Sequence, residues 1–265
     1  MKPDPLQHSH APEYVAEFLG TACLVFFGLS AVVFDFGEGL PMARWVPDHG
    51  LRLLITGLCF AGTGSLVAIS PLGRLSGGHI NPSVSLAFWL NGKMHFSDFV
   101  GYITAQMLGG MAGAVVLAGV WKKHAASVSN GMTRPGAGWP LWQVFVFETA
   151  LTGLLVLLIF VFVSHRRLMR WTPLMTWIVV AMMVWLEAPI SGTSLNPARS
   201  FGPALVTGEW REQWIYAVAP PLGGILGVVL FRLGAREGRE VLTGKLFHAP
   251  NYRTLFKNVG GSSLS

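Results

Sequence analysis

The amino-acid sequence predicts an all-α polytopic membrane protein: six transmembrane helices plus two re-entrant half-helices, in an inverted 3+3 repeat. Three observations predict it. The composition is apolar and poor in charge, six apolar runs are long enough to cross a bilayer, and landmarks recur in pairs along the chain. Of 265 residues, 52% are hydrophobic and only 12% charged, about half the charged share of a soluble domain. The mean hydropathy is +0.51. Disorder needs low hydrophobicity and high charge, and the surface of a soluble enzyme needs more charge than this chain carries. The 32 Gly and 10 Trp suit a membrane protein, where Gly lets helices approach and Trp sits at interfaces. Cys23 and Cys59 lie inside apolar runs and read as buried thiols, without a disulfide framework or metal-ligand spacing. The net charge of +6 reads as basic residues gathered on one face of a membrane, so no nucleic-acid partner is expected.

The elements follow in order. A spanning helix needs about 20 apolar residues to cross about 30 Å of hydrocarbon. Runs of that kind cover 12–34, 50–69, 98–121, 142–164, 171–188 and 212–234. The first dozen residues are polar, and the first run is too long for a signal-peptide core and lacks a cleavage site. An even number of spans puts both ends on one side. That side holds Lys2, Arg74, Lys93, Arg166, Arg167, Arg170, Arg232, Arg236, Arg239, Lys245, Arg253 and Lys257. The other holds Arg44, Arg52, Lys122, Lys123, Arg134 and Arg211. A twelve-to-six split makes both termini cytoplasmic. The short chain and the absence of a glycosylation acceptor in its exposed loops point to a plasma membrane, bacterial and inner. The expected divisions are a cytoplasmic N-terminus (1–11), a first repeat (12–121), an extracellular connecting loop (122–141), a second repeat (142–234) and a cytoplasmic tail (235–265). The tail is polar and Gly/Ser-ended, and mobility is expected of it.

The repeat rests on three pairs of segments. Ser76-Gly-Gly-His-Ile-Asn-Pro-Ser83 matches Ser191-Gly-Thr-Ser-Leu-Asn-Pro-Ala198 at an offset of 115 residues. Leu108-Gly-Gly-Met-Ala-Gly113 matches Leu222-Gly-Gly-Ile-Leu-Gly227 at 114, and Ala16-Glu-Phe-Leu-Gly-Thr21 matches Phe147-Glu-Thr-Ala-Leu-Thr152 at 131. Each half has three spans, an odd number, so the halves must lie in opposite orientations, an arrangement that forms sites at the midplane.

Both Asn-Pro pairs follow a Ser/Gly-rich stretch and open an apolar segment too short to span, about 82–91 and about 197–207. Asn is a leading N-cap and Pro is favoured at the first helical position. Each pair therefore reads as the start of a half-helix, the two entering from opposite faces with their N-termini meeting near the centre. Irregular backbone at that depth must be buried or line a cavity, so the loops 76–80 and 190–195 are expected to line a pore. Each half-helix brings about half a positive charge to its N-terminus. Two such ends facing one point repel cations and protons, while the Asn carboxamides can donate hydrogen bonds to a neutral solute.

Intramembrane charge is costly and by default functional. Arg199 lies three residues after Asn196, on about the same helical face, and Val84 holds the matching place in the first half. The cation is expected to repel cations and to hydrogen-bond a passing solute. His79 lies two residues before Asn81 without a second ligand at useful spacing, so it reads as a buried support of the loop and no metal is expected.

These residues resemble the aquaporin, or major intrinsic protein, family over nearly all of 12–234. Ser191–Leu205, reading SGTSLNPARSFGPAL, is similar to the family's second signature loop, and Ser76–Ser85, SGGHINPSVS, to the first. The first departs at Ser83, where most members have Ala. The resemblance implies a passive channel without a cofactor, a homotetramer in the lipid bilayer with one pore per subunit, and small neutral permeants. It implies that the pore motifs are Asn81, Pro82, Ser83 and Asn196, Pro197, Ala198. It further implies a selectivity filter of Ala61, Val184, Thr193 and Arg199. Glu17 and Glu148, related by the repeat, read either as proton-coupling carboxylates of a secondary transporter or as acceptors that hold the loops. The resemblance favours the second reading.

Water-selective members place an aromatic and a His where this chain has Ala61 and Val184, two small side chains that donate nothing. The filter is similar to that of the plant nodulin-like intrinsic proteins, which pass boric acid, urea and metalloid hydroxides. Phe60 and Trp185 each lie one residue from these positions, and either would narrow the pore if it turned inward. A glycerol facilitator usually has Asp where this chain has Ser200. The expected function is a passive channel for water and small uncharged solutes of the urea, glycerol, boric or arsenous acid class, excluding protons and ions. A water-selective channel is the alternative and a carboxylate-coupled transporter a remote one. The spans hold no nucleophile–base set and no catalytic carboxylate pair, so the chain is not expected to be an enzyme.

Overall fold

The computed structural model describes residues 10–234 and 240–247; most of the predicted N-terminal segment 1–11 and tail 235–265 falls outside them. Eight principal helices follow in order: α1 (Ala11–Phe36), α2 (His49–Ile69), α3 (Pro82–Leu90), α4 (Phe96–Trp121), α5 (Leu141–Val163), α6 (Thr172–Ser191), α7 (Pro197–Thr207) and α8 (Gln213–Gly234). Six of them are long and apolar enough to cross a membrane. At about 1.5 Å per residue, α3 with 9 residues and α7 with 11 fall well short of a bilayer. Each is a half-helix that begins where its Asn-Pro pair predicts.

Local chemistry sets the boundaries. The Asn81 carboxamide oxygen accepts from the Ser83 amide at 2.8 Å, and that of Asn196 accepts from the Ala198 amide at 3.0 Å. Pro82 and Pro197 then occupy the first turn, where a missing N–H costs nothing. Asp48 caps α2 in the same way, accepting from the Leu51 amide. Gly192, with φ of 80°, closes α6 in the left-handed region that favours glycine.

Within each half the first span packs on the third, α1 on α4 and α5 on α8, and the two middle spans α2 and α6 pack on each other across the halves. The glycine landmarks are the notches for this packing. A Cβ on Gly109 would stand 2.3 Å from the Phe18 carbonyl oxygen, and one on Gly223 would stand 2.4 Å from that of Thr149. A second pair admits the half-helices crosswise. A Cβ on Gly110 would stand 2.3 Å from the Ala198 carbonyl oxygen of α7, and one on Gly224 would stand 2.8 Å from the Ser83 carbonyl oxygen of α3. Each half-helix thus lies against the third span of the opposite half.

The outer surface is apolar, with Leu19, Phe27, Leu66, Val115 and Leu186 exposed, as lipid contact requires. Trp142 and Trp214 at helix starts, and Trp45 and Trp210 in the connections, are exposed on the face away from the termini, the placement of an interfacial aromatic belt. Two expectations are corrected. Cys59 is exposed and Cys23 only half-buried, because an apolar run that faces lipid is outside the protein core. The sequence predicts a mobile tail, whereas in its described stretch, 240–247, Val241, Thr243, Lys245 and Leu246 are buried. The Leu242 amide donates to the Val163 carbonyl at 3.1 Å, and the Leu246 amide to the Gly77 carbonyl at 2.9 Å.

Candidate functional site

The two Asn-Pro turns meet in the interior. Asn81 Nδ2 donates to the Leu195 carbonyl at 2.9 Å, and Asn196 Nδ2 donates to the Ile80 carbonyl at 2.8 Å. Each carboxamide thus caps its own half-helix through oxygen and ties the opposite loop through nitrogen. One N–H of each amide remains for a ligand. Ile80 and Leu195 hold φ of 43° and 54°, costly for bulky residues and typical of sites where strain serves a function. Thr193 also has a positive φ, 48°, where the first half places Gly78 at 66°. The second loop accepts that strain and gains a hydroxyl.

Buried carboxylates hold both loops. Glu17 accepts from Ser76 Oγ (2.6 Å), the His79 amide (3.0 Å), the Ile80 amide (2.6 Å) and Gln106 Nε2 (2.7 Å). Glu148 accepts from Ser191 Oγ (2.5 Å), the Ser194 amide (2.7 Å) and the Leu195 amide (2.9 Å). Tyr102 and Tyr216 complete the parallel, each donating at 2.6 Å to the carbonyl of Ser76 or Ser191. His79 is buried. Its Nδ1 lies 3.1 Å from Ser85 Oγ and its Nε2 2.8 Å from the Gly244 carbonyl.

A cavity of about 310 Å³ runs past both Asn residues. On the face away from the termini it is lined by Phe36, His49, Val32 and Val128. Phe60, Ala61, Val184, Thr193 and Arg199 also line it, as do Ala68, Leu155, Ile159, Thr176, Val180 and Leu246 toward the termini. The four residues that the resemblance assigns to a filter all line this cavity. Pro82, Ser83, Pro197 and Ala198 lie in the first turns of α3 and α7, where they set the half-helix axes and do not line the cavity. Glu17 and Glu148 do not line it either.

Arg199 is buried and donates through Nη1 to the Gly131 carbonyl at 2.7 Å, while its buried Nε has no partner among the described residues. Its guanidinium stands 5.5 Å from the centre of the Phe60 ring. The expected filter was small on this side because Ala61 occupies the inferred position. Ala61 does line the cavity, but Phe60 lines it as well, packed so close to Gly28 that a Cβ there would come within 2.5 Å of the ring. Trp185 is 36% exposed and directed outward.

Sequence reasoning missed two features. Glu187, on α6, is buried beside the filter, where its Oε2 accepts from Thr193 Oγ1 at 2.6 Å. The Thr193 hydroxyl is thereby committed as a donor and presents only lone pairs to the cavity. An acid inside an apolar run was the signal, but Glu187 has no counterpart in the first half, where the position 115 residues earlier is Leu72. The second feature is the segment 240–247, whose Leu246 lines the cavity. Lys245, outside the spans, donates through Nζ to the Arg74 carbonyl at 2.5 Å. Burial pushes its pKa down to about 8, against the opposing pull of Glu13.

Comparison with known proteins gives a consistent result. The family model described as Major intrinsic protein matches residues 6–231. Aquaporin Z of Rhodopseudomonas palustris is 33% identical over 242 residues, covering 88% of this chain and 97% of that protein. Aquaporin A of Dictyostelium discoideum is 32% identical over 241 residues, covering 89% and 83%. Among solved structures, the aquaglyceroporin from Plasmodium falciparum superposes with a TM-score of 0.67 at 22% identity, covering 84% of this chain and 96% of that one. The last comparison speaks for the fold alone.

Proposed function

The chain belongs to the major intrinsic protein family, whose members are passive channels and not enzymes, and on that footing we propose that it conducts water and small uncharged solutes and excludes protons and ions. The observation that carries this reading is the pair of crossed amides. Two half-helix N-termini face one cavity, each capped by an Asn that keeps one N–H for a permeant. The two positive ends oppose a cation at the centre. Arg199, which lines the same cavity, adds a full charge there.

In this reading Ala61, Val184, Thr193 and Arg199 form the filter. Arg199 offers donors, Thr193 an acceptor, and the two small side chains leave room for a solute the size of urea, glycerol, boric acid or arsenous acid. The subunit works as a homotetramer in a plasma membrane with both termini cytoplasmic. Glu17 and Glu148 act as loop holders, since their oxygens accept from loop amides and hydroxyls and neither lines the cavity. Proton-coupled transport would need a carboxylate that the permeant can reach.

A second reading, a water-selective pore, is favoured by one observation: the Phe60 ring beside Arg199. Stopped-flow light scattering on proteoliposomes decides between them, comparing water, glycerol, urea and boric acid. Water permeability above that of empty liposomes, with solute permeability also raised, is the expected result. Fast water with solutes at the empty-liposome level would replace the wide filter by one that Phe60 closes.

A further inference from the structure

Residues 240–247 are not needed to complete the six spans or the two half-helices, yet they are seated against the first re-entrant loop. Leu246 donates its amide to the Gly77 carbonyl at 2.9 Å, and the Gly244 carbonyl lies 2.8 Å from His79 Nε2. Lys245 Nζ reaches the Arg74 carbonyl at 2.5 Å, and the Arg74 guanidinium stands 5.4 Å from the centre of the Phe247 ring. Every one of these partners belongs to residues 74–79, the stretch that leads into Asn81. The Leu246 side chain is 8% exposed. It joins Ala68, Leu155 and Ile159 in one apolar cluster and lines the same cavity as they do.

We propose that residues 240–247 are an intramolecular throttle that docks in the pore mouth on the side of the termini, with Leu246 as the side chain that narrows the path. The inference rests on the channel reading above. A polar lining at this level would let water pass in file, whereas an apolar ring closed by one more aliphatic side chain resists wetting. The docked segment also meets the loop side chain that lines the cavity here, with the Gly244 carbonyl 2.8 Å from His79 Nε2. The contacts are a few hydrogen bonds and two or three apolar side chains, set against the ordering of eight residues. That balance places docked and undocked states within reach of each other, as a regulator requires.

The test is single-channel water permeability in proteoliposomes for three chains: the full chain, a chain ended after Arg239, and Leu246→Ala. The last keeps the backbone bonds and removes only the side chain that lines the cavity. Circular dichroism and gel filtration check that each is folded. The expected result is a rise of about tenfold on truncation, equivalent to docking worth about 1.4 kcal/mol, and a smaller rise for Leu246→Ala. If the full chain conducts well above empty liposomes and both variants stay within about twofold of it, the channel reading stands and the throttle is overturned. If all three folded chains sit at the empty-liposome level, the channel reading falls and the throttle with it. If the truncated chain does not fold, Leu246→Ala decides alone, and no rise overturns the proposal.

Discussion

Gly110 offers the sharpest test of the packing that brings the two half-helices together. A Cβ there would stand 2.3 Å from the Ala198 carbonyl oxygen, and side-chain carbons essentially never come closer than 3.0 Å to a neighbour. The Gly110→Ala variant must therefore push α7 away by at least about 0.7 Å, or bend α4. The obstructing atom is backbone, two residues after Asn196, so no side chain can swing aside. Overpacking of this kind costs about 1–3 kcal/mol, against at most about 1 kcal/mol gained from replacing a helical Gly by Ala. A control lies on the same helix: Gly119 has nothing within 4 Å of its Cβ position, so Gly119→Ala is expected to be neutral or up to about 1 kcal/mol stabilising. The assay is thermal unfolding in detergent, followed by water permeation of the reconstituted protein. Gly110→Ala should melt below the parent and conduct less water, because Asn196 moves with α7, while Gly119→Ala should do neither. Equal melting temperatures and equal conduction for the two variants would refute the close approach, and with it the reason that the Gly-Gly landmark recurs in each half.

Four further outcomes are expected. Phe60→Ala should raise glycerol and urea flux relative to water, read as a change in the permeability ratio; an unchanged ratio would mean that the ring does not reach the permeant. Arg199→Ala should loosen the exclusion of cations while keeping neutral flux, visible as ion leak in voltage-clamped bilayers. Glu187→Gln replaces the acceptor by an amide that can donate to Thr193 Oγ1, freeing the hydroxyl proton to point into the cavity, so the rank order of solutes should change while water flux falls less than twofold. Lys245 gives a pH dependence. Its pKa is lowered to about 8 in the docked segment, against about 10.4 for a free lysine. Below pH 8 the amine is charged whether docked or free, so docking does not vary with pH. Between about 8 and 10.4 the docked amine loses its proton first, so docking tightens. Water permeability should fall over that range in the full chain and stay level in the chain ended after Arg239.

Much of the architecture was legible because it is dictated by features a sequence displays directly. An Asn-Pro pair before an apolar segment of about ten residues states both a helix start and a helix too short to span. Its recurrence 115 residues later states the symmetry. The glycine pairs marked close packing without naming the partner atoms, which depend on how α7 crosses α4. Phe60 was harder to read. One residue along a helix turns a side chain by about 100°, which argues against both Phe60 and Ala61 facing one cavity, but an aromatic ring is long enough to reach back when a neighbouring helix supplies Gly28 as a recess. Glu187 is a lone acid in an apolar run, and the repeat gives it no counterpart, only Leu72. The docked segment, VLTGKLF, is mixed in character and carries no mark of burial. Its burial comes from backbone bonds to Gly77 and Val163, which composition does not encode.

The crossed amides bear on how the molecule comes together. The Ile80 carbonyl is satisfied by Asn196 and the Leu195 carbonyl by Asn81, so neither loop can satisfy its own buried backbone. As the chain is synthesised, the first loop must wait with an open acceptor until the second half has entered the membrane, since an unpaired buried carbonyl is costly. The two halves therefore finish together. Damage also crosses over: losing the Asn81 amide leaves its vacancy in the second half, and losing that of Asn196 leaves one in the first. A duplicated chain tied in this way forms one cooperative unit, with its proof of correct assembly located at the point where the permeant passes.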